Sequence, residues 1–297
     1  MPPAQVVILR GLGSVPAMAD LDAAIGFVVA HGDLVDRARL SYVRSGSTPP
    51  AAVLDKVEVG QAFDGGFPAL WTSDVGSVDA TCFRLSELDD LGALDRSAAR
   101  RALAWLASHQ RADGSWEEDK ALADVAPSWA RPGDPEARLY LTANAAFWLA
   151  VAGPDREDAT DAAGRHSYGP SPEDNEHAQR LSLAGGVIRD SLAPDGSWPS
   201  YLATGWLGAA LLFHLGWFYE AARMQVILGE RVPEMSAADT ASLASTLRRI
   251  GVASEDWLLT VARRRLAETQ RSDGGWASDD GPAFDVHTTL AAIRALR

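Results

Sequence analysis

The stretch QRADGSW, Gln110 to Trp116, decides the architecture, because the chain repeats it: QAFDGGF at 61–67, LAPDGSW at 192–198 and QRSDGGW at 270–276. Each copy reads Gln-x-x-Asp-Gly-Gly/Ser-aromatic, with Leu192 in place of the first Gln. The residues before a copy carry helical periodicity: Ala99, Leu103 and Leu106 share one face ahead of the second, and Leu258, Ala262 and Leu266 share one ahead of the fourth. The string therefore ends a helix. Asp-Gly supplies the turn, since Gly accepts a positive φ that a Cβ penalises, and the aromatic then packs back while Gln reaches nearby backbone.

A second, more apolar segment follows each turn. Three of these open with Asp79-Ala80-Thr81, Asp239-Thr240-Ala241 and Asp285-Val286-His287-Thr288, which suit helix N-caps. Pairing the segments predicts 18–31 with 33–45, 51–61 with 77–92, 96–110 with 138–152, 175–191 with 202–216, 217–229 with 237–250, and 255–270 with 284–296. Strand-like alternation is nearly absent. Six pairs of one amphipathic and one nearly all-apolar helix predict an all-α fold, an (α/α)6 toroid with the apolar helices inside. The whole chain, 1–297, reads as one domain with the repeats clearest over 50–297. Segments 117–137 and 153–174 are polar and rich in Pro and Gly and read as loops, their acidic runs as solvated surface rather than a metal site.

Composition sets further bounds. Of 297 residues 47% are hydrophobic and 23% charged, enough for a sizeable core. The net charge of −13, from 27 Lys and Arg against 40 Asp and Glu, opposes nucleic acid as a partner. The single cysteine, Cys82, excludes an intramolecular disulfide and suits a reducing cytoplasm. The opening MPPAQVVILRGLGSVPAMAD lacks the basic start and apolar run of a secretory signal, and no stretch has the length of apolar sequence that spans a bilayer, so a cytoplasmic location is expected.

The recurring Gln-x-x-Asp-Gly-x-Trp resembles the QW motif of terpenoid cyclases of the squalene–hopene type, which share an α/α toroid with protein prenyltransferase β subunits. The resemblance implies an isoprenoid substrate, a prenyl diphosphate or polyprene, in a central apolar cavity. It also implies a carbocation launched by the middle Asp of a D-x-D-D motif that is commonly followed by Thr-Ala. Such an acid must stay protonated near neutral pH, which takes desolvation or a neighbouring carboxylate. The nearest string, Ser236-Ala237-Ala238-Asp239-Thr240-Ala241, keeps the last Asp and the Thr-Ala but has Ala238 at the donor position. The acid then falls to Asp239, Asp285 or Asp79.

Aromatic faces stabilise cations, so Tyr140, Trp148, Tyr201 and Trp206 on or just before the expected inner helices are candidate substrate contacts, with Asn144 and His287 beside them. Arg84 and Arg138 are the candidates for a diphosphate. The prenyltransferase zinc pattern is not matched by Asp79 and Cys82 or by Asp285 and His287, so no metal site and no cofactor are expected, with Mg2+ entering only if the substrate is a diphosphate. Two other readings stand beside acid-initiated cyclisation. One is a non-catalytic isoprenoid-binding or partner subunit; the other is a carbohydrate-active toroid recruiting Asp195, Trp198 and Tyr201. Peripheral membrane contact is compatible with the first two.

Overall fold

A computed structural model describes residues 18–70, 74–153 and 172–297. The opening stretch and most of the loop expected at 153–174 lie outside the described residues. Among those described, twelve α-helices run in six pairs: α1 (Leu21–His31) with α2 (Leu34–Ser45), α3 (Ala51–Glu58) with α4 (Val78–Asp90), α5 (Ser97–Ser108) with α6 (Pro135–Val151), α7 (Pro172–Ser191) with α8 (Leu202–His214), α9 (Phe218–Arg231) with α10 (Ala237–Arg249), and α11 (Trp257–Thr269) with α12 (Asp285–Leu296). The strands are two dipeptides, β1 (Phe67–Pro68) and β2 (Gly76–Ser77), paired antiparallel ahead of α4.

The even-numbered helices form the inner ring. Each packs on the next, and α12 packs on α2 and α2 on α4, so the ring closes. Burial follows from composition: α6 buries thirteen of its seventeen residues and α8 nine of thirteen, whereas outer α5 buries only Ala98, Ala99, Ala102, Trp105 and Leu106, a single stripe. The fold is an all-α toroid, as the pairing predicts. The expectation of nearly all-apolar inner helices needs correction, since α2, α4, α10 and α12 bring charged side chains to the centre.

The repeated string staples one outer helix to the next. Gln61 Nε2 donates to Gly65 O and to Ala98 O in α5 (both 2.8 Å), Gln110 Nε2 to Gly114 O (3.1 Å) and Arg180 O in α7 (2.9 Å), and Gln270 Nε2 to Gly274 O (2.9 Å) and Asp20 O (2.8 Å). The last of these ties the end of the chain to the cap of α1. Gly274, with φ of +89°, lies so close to α1 that a Cβ would sit 2.3 Å from Ala23 O. Where Leu192 replaces Gln, Arg223 of α9 supplies the missing donor, reaching Ala193 O at 2.7 Å and Pro194 O.

The N-cap reading of the three aspartates is also corrected. Ser77 caps α4 and Ser236 caps α10 through their hydroxyls, and α12 starts from Phe284 without a side-chain cap. A first-turn position leaves Asp79, Asp239 and Asp285 to find other partners.

Candidate active site

A threonine marks the same place at the start of five inner helices: Thr81, Thr142, Thr204, Thr240 and Thr289 are all fully buried. In three of them the hydroxyl accepts the backbone N–H of the aromatic that ends the preceding string, Phe67 to Thr81 (2.9 Å), Trp116 to Thr142 (3.0 Å) and Trp276 to Thr289 (3.1 Å). This fixes turn against inner helix. Two residues before each threonine stand Asp79, Tyr140, Leu202, Ala238 and His287.

Asp79 is the centre of a polar cluster. Its Oδ2 accepts from Trp129 Nε1 at 3.0 Å and its Oδ1 from the Tyr140 hydroxyl at 2.9 Å, while Asn144 Nδ2 donates to that hydroxyl at 3.2 Å. Tyr201 lies edge-on to Tyr140 at 6.2 Å, its own hydroxyl bonded to Ser128 O. Burial raises the carboxyl of Asp79 above the usual carboxylate range, with Trp129 and Tyr140 pulling only partly back. Burial and the facing carboxyl push the Tyr140 phenol well up, so it remains a donor.

Trp129 comes from the loop read as solvated surface, and so does Glu118. Most of that loop is exposed, Trp129 included, as that reading expects, but Glu118 is buried and departs from it. The Glu118 carboxylate sits on the N-terminus of α4, accepting from Ser77 Oγ (2.7 Å), Val78 N (2.9 Å) and Asp79 N (3.0 Å), a favourable place for negative charge. Burial raises Glu118 too, and the nearby Asp79 adds to the rise. The same loop lines one side of a half-open cavity of about 300 Å³ with Asp79 in its wall. Leu70, Ala80, Phe83, Leu122, Val125 and Pro127 make most of the rest of the lining apolar.

His287 approaches from α12. Its ring is 6.0 Å from both Phe83 and Phe284, which stay 48% and 43% exposed although they are aromatic. Arg39 Nη1 lies 2.8 Å from His287 Nδ1, and burial with the guanidinium charge keeps the imidazole below its usual value. Behind it the centre is filled by ions from four inner helices. Asp90 accepts from Arg39 (2.8 Å), Arg249 (2.8 Å) and Arg294 (2.6 Å), and Asp89 from Arg249 (2.8 Å). Trp148 of α6 lies under Arg249 at 5.4 Å, which makes this buried cluster a polar floor at the end of α4 away from Asp79.

The structure thus gathers Asp79, Tyr140, Asn144 and Tyr201, places Arg84 more than a turn further along α4 and His287 on α12 beside Phe83, and sets Trp148 at the floor. Arg84 is paired with Glu87 at 2.6 Å. Trp206 is buried in α8. Asp239 stays beside Ser236 and Asp279 on α10, raised by its partial burial and by Asp279. Asp285 braces its own turn, accepting from Arg271 (2.6 Å) and Ser278 N (2.8 Å). Arg138 has an exposed side chain at the start of α6, which corrects its placement as an inner ligand.

Neither a family profile nor a curated protein matches the sequence. Solved structures do. A variant of the type II terpene cyclase MstE from Scytonema, in complex with geranylgeranyl dihydroxybenzoate, superposes with a TM-score of 0.59 at 15% identity, covering 93% of this chain and 95% of that one. Another variant, in complex with merosterolic acid A, gives 0.57 at 17% identity, covering 93% and 94%. A protein from Actinoplanes gives 0.56 at 18% identity, covering 93% and 97%. The fold is that of type II terpene cyclases. Among the described residues no helix is long and apolar enough to cross a membrane.

Proposed function

We propose that the chain is a terpene-cyclase-like enzyme in which Asp79 protonates an alkene or epoxide of an isoprenoid held in the apolar cavity. One observation carries this: a carboxyl raised by burial is held by Trp129 and Tyr140 in the wall of a cavity that is otherwise mostly apolar. Aligned on the buried threonines, Ser77-Val78-Asp79-Ala80-Thr81-Cys82 keeps the middle Asp of D-x-D-D-Thr-Ala as Asp79 and the Thr as Thr81, with Ser77, Ala80 and Cys82 at the other three fixed positions. In the string at 236–241 that position is Ala238. The isoprenoid bound by the structurally similar MstE supports the substrate class.

The chemistry follows from charge. The proton of Asp79 passes to one alkene carbon and the other becomes a tertiary cation, which the next double bond attacks to close a ring. Trp129 and Tyr140 bond a carboxylate more strongly than a carboxylic acid, so both favour proton donation as it happens. Phe83 offers a ring face to the cation. A final deprotonation restores neutrality, and the sequence of steps asks for no cofactor, Mg2+ entering only with a diphosphate.

A sugar-active site fits less well. The groove of about 650 Å³ edged by Asp64, Asp74, Glu117 and Asp119 contains Trp105. That ring is stacked on His109 at 3.9 Å, and Gly66 and Gly76 press against it. Trp198 is likewise covered, by Gly205 and by Arg231. Neither offers a sugar a free face.

The test is incubation of the purified chain with geranyl, farnesyl and geranylgeranyl diphosphates, the corresponding alcohols and squalene, followed by mass spectrometry. Cyclised product from wild type, absent in Asp79→Asn while ligand is still retained, is the expected result. Retained ligand without product from wild type would leave a binding or partner subunit. Product unchanged in Asp79→Asn would move the acid elsewhere.

A further inference from the structure

The imidazole of His287 has its protonation fixed by its neighbour. A guanidinium has donors only, so Arg39 Nη1 at 2.8 Å makes His287 Nδ1 an acceptor. A neutral imidazole carries one N–H, which is then on Nε2. Arg39 cannot turn away, because its Nε and Nη2 are bonded to Asp90 at 3.2 and 2.8 Å and the residue is buried. No described residue bonds Nε2.

Phe83 and Phe284, both partly exposed, flank the imidazole with ring centroids 6.0 Å from it. Phe83 also lines the cavity of Asp79 and stands one helical turn from it, so the acid and the N–H are roughly 10 Å apart across aromatic surface, counting one turn of rise and one ring contact. A ligand that meets Asp79 with an alkene can meet His287 with its other end.

The charges around His287 decide what that end is. Arg84 is paired with Glu87, Arg39 with Asp90 and Asp36, and Arg249 and Arg294 with Asp89 and Asp90. Each of these four guanidiniums thus already holds a carboxylate. A diphosphate would have to displace Glu87 or Asp36 and then lie beside it, at a cost in desolvation and repulsion. An uncharged oxygen needs one donor and displaces no carboxylate; His287 supplies the donor, and Phe83 and Phe284 lie beside it.

We infer that His287 binds the polar end of the substrate through its Nε2–H, and that this end is an uncharged oxygen, as in a polyprenyl alcohol, ether or ketone, rather than a diphosphate. This rests on the isoprenoid reading of the cavity. Binding of geranylgeraniol, geranylgeranyl diphosphate with and without Mg2+, and squalene is measured by equilibrium dialysis on the full chain, for wild type, His287→Phe and His287→Gln, with thermal melting to confirm folding. The alcohol is expected to bind at least tenfold more tightly than the diphosphate. His287→Phe should lose about tenfold for the alcohol and nothing for squalene, which has no oxygen, and His287→Gln should recover part of the loss.

Equal or tighter binding of the diphosphate overturns the inference, as does an equal loss for alcohol and squalene in His287→Phe. In either case the cavity remains an isoprenoid site. No binding of any of the three to wild type overturns that reading and this inference together.

Discussion

Removing Asp90 should cost more stability than removing any other single carboxylate, and the amount follows from its partners. Asp90 is buried and bonded to Arg39, Arg249 and Arg294. Breaking a buried ion cluster by deleting one partner costs about 3–5 kcal/mol, because the charges left behind stay buried. In Asp90→Asn the arginines are not all abandoned: Asp89 still reaches Arg249 at 2.8 Å and Arg294 at 3.2 Å, whereas Arg39 keeps only Asp36 at 3.4 Å and Glu87 at 3.9 Å. The lower end, about 3 kcal/mol, is the expectation. At roughly 2 cal/mol/K of unfolding entropy per residue, a chain of 297 residues converts this to about 5 °C in Tm. Burial alone would raise the Asp90 carboxyl, but Arg294, Arg249 and Arg39 outweigh it and hold the group well below the usual range. Its contribution is therefore present above the unfolded value near 4 and fades as pH falls toward the folded one. Calorimetry at pH 7 and pH 3 should show a gap that narrows in acid. A variant melting within about 1 °C of wild type at pH 7, or a gap of constant size across that range, would refute the argument.

The remaining predictions concern the staples and the acid. Gln270→Ala removes the bonds to Asp20 and Gly274, costing about 1–2 kcal/mol, and amide exchange should quicken in α1 and not in α6. Gly274→Ala should cost clearly more than Gly281→Ala: both have positive φ, but only at Gly274 does the new Cβ meet Ala23, while at Gly281 it meets open space. Equal melting of the two would mean that contact is not tight. In Tyr140→Phe the carboxyl of Asp79 loses a donor that lowers it, so the pH at which cyclisation fails should move upward, since the acid form is the active one. Asp79 itself, raised on folding, favours the folded state below its unfolded value and opposes it as pH rises through the folded one; Asp79→Asn should accordingly melt no lower than wild type at pH 7.

The helix pairs were legible because the repeated string is a local device. Gln, Asp and Gly act within a few residues of one another, and their pattern locates each turn without knowledge of the ring. Even the exception is local in sequence: Leu192 announces a missing staple, though only the packing of α9 shows Arg223 filling it. Charge is different. Arg39, Asp90, Arg249 and Arg294 come from four inner helices, and in the sequence each reads as the polar side of an amphipathic segment. Only closure of the ring turns four polar sides into one buried floor.

The acid shows the same division between local and distant information. Asp79, Asp239 and Asp285 look alike as first-turn aspartates, and Asp239 has the better match to Asp-Thr-Ala. Spacing to the threonine would have separated them, because that residue is buried in five of the six inner helices and sets which position lies two before it. On that count Asp79 aligns with Tyr140 and His287, while Asp239 falls one place later and Asp285 two places earlier. What the spacing could not supply is Trp129 and Glu118, which reach α4 from a loop whose charge and proline content resemble any solvated connection. Over 117–131 that loop is mostly exposed, with Glu118, Leu122 and Ala130 buried. It lines a mostly apolar cavity in which two carboxyls, Asp79 and Glu118, are raised by burial, and it supplies Glu118 itself and, through Trp129, one of the donors that hold Asp79.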